Sequence, residues 1–217
     1  LLAGAQALRM GPDGLLYVVS EENDRILRFD ADSLEFLDVW LEDARLAKPT
    51  ALAFDPDGAA CIGSYAGDRV LRYADGELSV FLEDPALDGI DAGMAFGPDG
   101  HLWVPAFGGH AVLVVDPATA EVVRRITTLA SPRMLLWTPE EDAVLIGAWA
   151  GDAVHRLARR PGATPELLFA RARPSGLAWL PDGRLLTISD TGGPIHAVDL
   201  SGPEPVAERL AEDERLA

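Results

Sequence analysis

Glu21, Tyr65, Phe107, Trp149 and Asp190 hold the same place in five similar stretches of the chain, each directly after an apolar run and at the start of a short polar loop. Three neighbouring aromatics with a carboxylate at either end are the ingredients of a binding site with apolar walls and a few convergent polar groups. A second aligned position reads Gln6, Thr50, Ala92, Arg133 and Ser175, which adds Arg133 as a cation. Just before that position the second, fourth and fifth stretches carry Pro49, Pro132 and Pro174, whereas the third carries Asp91. A residue that breaks the rule of its repeat is a candidate functional residue. Asp91, Glu21 and Asp190 offer hard oxygen ligands of the kind Ca²⁺ or Mg²⁺ takes. The alternative is that they are solvated loop carboxylates, and that the aromatics only plug the space they face.

Other reactive residue types have plainer readings. Asp24, Asp68 and Asp152 recur ahead of the third apolar run, and recurrence points to a turn or an ion pair between repeats rather than to catalysis. His101 follows a Pro-Asp-Gly turn, His155 and His196 occupy matching positions, and His110 stands at the Asp24 equivalent. None of the four has a Ser, Cys or acidic partner at a catalytic spacing. Cys61, the single cysteine, lies in the apolar run AACIGS and reads as a small core residue.

The elements that must position these side chains follow from the repeat itself. The turn proline falls at Pro12, Pro56, Pro98, Pro139 and Pro181, a period of about 42 residues, which marks a repeat architecture. In the second repeat ALAF leads to the turn DPDG, AACIGS to the loop YAGD, RVLRYA to the turn DG, and LSVFLE ends the unit. Short apolar runs punctuated by Gly, Pro and Asp are strands joined by turns. In Pro-Asp-Gly the proline fixes the first corner, the Asp bonds its own backbone and the Gly supplies positive φ. Pro139-Glu140-Glu141-Asp142 breaks this pattern in the fourth repeat and predicts a longer hairpin there. PVAERLAEDERLA at the C-terminus, residues 205–217, reads as an outer strand running into a loop.

The strands are apolar on both faces, as in ILRF at 26–29 and AVLVV at 111–115, so each small sheet must be covered on both sides. Four strands and about 42 residues per unit predict an all-β fold, a β-propeller of four-stranded antiparallel blades. The chain reads as one propeller domain over 1–217, with repeats at about 1–45, 46–88, 89–129, 130–171 and 172–217. In such a fold the loops after the second strands and those entering the first strands gather at the mouth of a central channel.

ALAFDPDG, LLYVVSEENDRILRFD and GMAFGPDGHLWV resemble the NHL-type repeats of the propeller superfamily that includes streptogramin lyase and the gluconolactonases. That resemblance implies six or seven blades, so five repeats are read either as a fragment or as a small closed ring. It also implies, for a gluconolactonase, a divalent metal at the channel held by an early acidic residue, later asparagines and an Asp in a Pro-Asp-Gly-Met stretch. Asp91-Ala92-Gly93-Met94 is similar to the last element but shifted by one residue, and Asn23 is the sole asparagine. A lyase of the streptogramin type implies a channel histidine with acidic partners, which no histidine here matches.

Composition narrows the partners. With 35 acidic against 18 basic residues the formal charge is −17, which argues against a nucleic acid, whose binding depends on Lys and Arg. No apolar run approaches the roughly 20 residues of a membrane span. Lys48 is the sole lysine, and with abundant Ala, Gly and Pro this composition reads as bacterial. The chain opens at Leu1 and its ends, LLAGAQAL and EDERLA, match the internal repeat boundary, so the expectation is a larger, secreted or periplasmic precursor. The functional expectation is a binding or scaffold module that presents a channel mouth to a small molecule or a protein. Its alternative is a divalent-metal-dependent lactonase- or lyase-like enzyme. Oligomeric state is left open, since exposed strand edges would favour self-association.

Overall fold

The computed structural model of the chain describes residues 2–211. They form twenty strands and, among the described residues, two 3₁₀ turns as the only helical elements. Among the described residues no helix is long and apolar enough to cross a membrane. The chain divides into two compact units, Leu1–Arg125 and Ile126–Ala217.

The first unit holds three four-stranded antiparallel sheets, each made from consecutive strands. They are β1 (Ala5–Met10), β2 (Leu16–Ser20), β3 (Arg25–Phe29) and β4 (Phe36–Glu42); then β5 (Pro49–Phe54), β6 (Ala60–Ser64), β7 (Arg69–Ala74) and β8 (Glu77–Glu83); then β9 (Ala95–Phe96), β10 (Leu102–Ala106), β11 (Ala111–Val115) and β12 (Val122–Ile126). The second unit holds two more, β13 (Pro132–Trp137) to β16 (Glu166–Ala170) by way of β14 (Ala143–Ala148) and β15 (Ala153–Ala158), and β17 (Pro174–Trp179) to β20 (Val206–Ala211) by way of β18 (Leu185–Ser189) and β19 (Ile195–Asp199). These are the expected blades. The last six residues of the C-terminal stretch lie outside the described residues; the part before them is the outer strand β20, as expected.

Burial explains the sequence pattern. β6, β10, β11 and β14 are buried at every residue, because a middle strand has apolar neighbours on both faces and so loses the alternation of a half-exposed strand. The outermost β20 is exposed throughout and carries charges. In the first unit Tyr17, Trp40, Phe54 and Tyr73 fill the seam between the first two sheets; Tyr17 meets Trp40 edge-on at 5.0 Å and Phe54 at 4.9 Å, and Trp40 meets Tyr73 at 4.8 Å. In the second unit Leu145, Leu177, Leu185 and Val198 form the corresponding core.

The turns behave as their chemistry dictates. Gly14, Gly58, Gly100 and Gly183 take positive φ, and Asp13, Asp99 and Asp182 each accept from a backbone N–H two residues on. In the fourth repeat Glu141 sits at the glycine position with φ 56°, and the hairpin closes from Thr138 N–H to the Ala143 carbonyl rather than one residue earlier. The predicted lengthening is thus a single extra residue, Asp142.

Candidate functional site

One backbone device places the five aligned loop residues. The residue that enters each blade, Gly4, Lys48, Gly89, Ser131 or Arg173, adopts left-handed φ. This turns its carbonyl to accept from the N–H of Glu21, Tyr65, Phe107, Trp149 and Asp190 respectively, at 2.8–3.0 Å. Ser20, Ser64 and Ser189, which precede the loop residue, add a hydroxyl bond to the carbonyl of Ala3, Ala47 or Ala172. Within each blade, the loop after the second strand is thus bonded to the segment that enters the first.

The recurrent aspartates complete the device. Asp24 accepts from Lys48 N–H at 2.7 Å, Asp68 from Gly89 N–H at 3.0 Å and Asp152 from Arg173 N–H at 2.9 Å. Each clasps the left-handed residue of the following blade while itself in left-handed φ, a conformation Asp tolerates better than most residues. The bond between repeats is to backbone rather than an ion pair. His110 takes the same conformation in the third blade, φ 51°, which makes it a turn residue as its alignment predicts.

In the first unit the candidate residues are held by protein partners. Glu21, largely shielded, accepts from the Gln6 side-chain amide at 2.6 Å and faces the Lys48 ammonium at 3.9 Å. Tyr65 is 40% exposed and its ring lies over Gly89, where an added Cβ would meet the ring at 3.0 Å. Phe107 is half-buried. Asp91 is buried, at 8% exposure, and its carboxylate accepts from Ala92 N–H at 2.7 Å. Arg9, which the sequence did not single out, reaches from β1 to the carbonyls of Ala92 and Met94 at 3.2 and 3.5 Å. Burial lowers its pKa from the ordinary arginine value.

In the second unit three candidates converge. The Trp149 indole N–H donates to Asp190 at 2.9 Å, and Arg133 lies 3.6 Å from the same carboxylate oxygen. Arg173 completes the group, its guanidinium carbon 4.6 Å from the centroid of the Trp149 ring. Arg173 has left-handed φ, and no motif announces its place over the Trp149 ring. The Arg173 guanidinium over an indole fixed by Asp190 makes a cationic stacking surface. The second unit's paired histidine is elsewhere: His196 Nδ1 meets the Arg171 guanidinium at 2.9 Å, and burial together with that cation lowers its pKa.

A Ca²⁺ or Mg²⁺ centre needs several oxygen ligands gathered around one point. Among the described residues no three His, Cys, Asp or Glu side chains come together as a metal-holding group. Glu21, Asp91 and Asp190 each direct a carboxylate oxygen to a protein donor. Among the described residues Glu21, Asp91 and Asp190 are not gathered as one such site.

What the described blades define is a β-propeller of four-stranded units. No family model matches the chain, and no curated protein matches it by sequence. Among solved structures it is similar to virginiamycin B lyase from Staphylococcus aureus, with a TM-score of 0.78 and 16% identity over 99% of this chain and 72% of that one. It is similar also to a gluconolactonase from Xanthomonas campestris, at 0.77 and 18% over 96% and 76%. An auxiliary nutrient binding protein from Bacteroides ovatus matches at 0.76 and 12% over 97% and 58%. At such identities the likeness is one of fold, and it bears out the resemblance to streptogramin lyase and gluconolactonase propellers at that level. Two enzymes and a binding protein on one fold leave function to the site.

Proposed function

We propose that this protein is a ligand-binding propeller whose working surface is the loop cluster of Arg133, Trp149, Arg173 and Asp190, and that its ligand is a small molecule with a carboxylate beside a flat or apolar body. The observation that carries this reading is the Arg173 guanidinium stacked at 4.6 Å on Trp149. Among the described residues no group accepts from its N–H donors, so they are available to a bidentate carboxylate while the indole edge stays fixed by Asp190. The chain's formal charge is −17, so the Arg173 guanidinium on this loop surface is a local exception in sign that would discriminate for an anion.

Titration of the full chain with benzoate, followed by tryptophan fluorescence, tests the reading. Saturable quenching is expected in the wild type and is lost in Arg173→Ala and Trp149→Ala. Unchanged quenching in both variants would sink it. The metal-dependent lactonase or lyase reading is tested by calorimetric titration with Ca²⁺ and Mg²⁺ followed by a lactone panel, since a ligand of the folded state raises its apparent stability.

A further inference from the structure

The second unit contains a cleft of about 860 Å³ at the opposite end of its strands from the Trp149 loops. It lies in the seam between its two sheets, and position-by-position comparison with the first unit shows why it is open. Tyr17 of β2 pairs with Arg28, and its counterpart Leu145 of β14 pairs with Arg156. Trp40 is the bulged residue of β4, skipped between Leu41 and Val39 in the register; the bulged residue of β16 is Leu168. Tyr73 pairs with the first residue of β6, and Val198 pairs with the first residue of β18. Phe54 and Trp179 both stand two residues before the turn proline. Three of the four aromatics that fill the first seam are therefore aliphatic in the second. The first seam keeps a depression of only about 310 Å³.

The charge of the cleft is equally specific. Four carboxylates line it, Glu140, Asp142, Asp182 and Asp199, against two guanidinium groups, Arg156 and Arg184. Both arginines are already neutralised: Arg156 by Asp142 at 2.7 Å, Arg184 by Asp182 at 2.7 Å and by Glu208 at 2.5 Å. Neither Glu140 nor Asp199 has a cation within ion-pair distance among the described residues; Asp199 accepts from Ser201 N–H at 2.8 Å. Asp142, the residue added by the long hairpin, holds Arg156 in the rim and is itself fixed by the Thr138 hydroxyl at 2.8 Å. The floor is apolar, with Leu145, Leu168 and Leu200, and carries Trp179, whose indole N–H is fixed on the Trp137 carbonyl at 2.7 Å.

We infer that this seam cleft is a second binding site, distinct from the loop surface, for a small organic cation with an aromatic or aliphatic body. The apolar floor and the indole take the body, and Glu140 and Asp199 take the charge. The volume lies in the range of small-molecule pockets, roughly 300–1,000 Å³. An indole in reach of a cation adds attraction that an anion would not receive.

Calorimetric titration of the full chain with tryptamine and with indole-3-propionate, which share a ring and differ in charge, tests the inference. Tryptamine is expected to bind about tenfold more tightly than the anion. Glu140→Gln combined with Asp199→Asn, both on the surface, should erase that preference. Leu168→Trp, which restores the bulk of the first seam, should abolish tryptamine binding, while Trp149→Ala should leave it unchanged. No tryptamine binding, equal affinity for the two probes in the wild type, or binding that survives Leu168→Trp and disappears in Trp149→Ala would each overturn the inference.

Discussion

The seam of the first two sheets and the seam of the last two are built on one backbone and end as opposites. Both have the left-handed entry residue, the loop N–H turned onto it and an Asp that clasps it from the preceding blade. In one, Tyr17, Trp40, Phe54 and Tyr73 interlock edge to face. In the other, Leu145, Leu168 and Val198 stand where Tyr17, Trp40 and Tyr73 stand in the first, and the space stays open. The difference teaches that propeller geometry belongs to the backbone clasp and the turns. Side-chain volume in the seam is free to vary, and varying it converts packing into a pocket.

Removing the largest aromatic of the filled seam has the largest expected effect. Trp40→Ala is expected to cost about 3 kcal/mol, as large-to-small changes in packed cores do. Leu168→Ala, on the wall of an open cleft, should cost under about 1.5 kcal/mol because little packing is lost. Urea unfolding of the two variants checks this, and equal losses would mean that the aromatic seam is no better packed than the open one.

A third seam supplies an intermediate case. Cys61 pairs with Arg72 in the register that Tyr17 and Leu145 hold in their blades, and burial pushes its thiol from 9.0 up to about 12. Because the folded form holds the proton more tightly than the unfolded chain does, stability is unaffected below about pH 9. It then falls as the pH rises toward about 12, by roughly 1.4 kcal/mol per pH unit at most. Cys61→Ala should flatten that slope. Iodoacetamide at pH 8 should leave the native thiol unmodified and react once denaturant is added; modification of the native protein at the rate of a free thiol would show that this seam, too, is open.

Filling the cleft should make the second seam behave like the first. Leu168→Trp should raise stability by about 1 kcal/mol by burying added apolar surface, and so raise Tm by a few degrees. A fall in Tm would show that the second seam differs in spacing as well as in side-chain size.

The smallest effects should be the same in both units. Asp68→Ala and Asp152→Ala each remove one clasp to a backbone N–H and should each cost about 1 kcal/mol in thermal unfolding. Asn at either position, which keeps the acceptor and tolerates left-handed φ, should restore most of the loss.

Much of this arrangement was legible in the residues. The turn prolines, the glycines at positive φ and the double-sided apolar strands led to four-stranded blades because each reflects a local constraint that repeats. The aligned loop residues were legible as a set for the same reason, and Trp149, Asp190 and Arg133 do meet. Arg173 and Arg9 were not, since long flexible side chains reach partners fixed by other strands and carry no periodic signal. The extra residue of the Pro139–Asp142 hairpin was visible, but its meaning was not, because Asp142 lines a cleft whose other wall is another blade.

By itself, the sequence determined the blade: strand order, turn chemistry, the place of the clasping aspartates and the exposed outer strand, all of which depend on residues close together along the chain. Only the tertiary structure decided that Trp149 is gripped by an Asp and capped by an Arg, and that one seam is filled while the other is open. Those outcomes depend on the volumes and donor directions of side chains some 40 residues apart, such as Trp149 and Asp190, which no local pattern encodes.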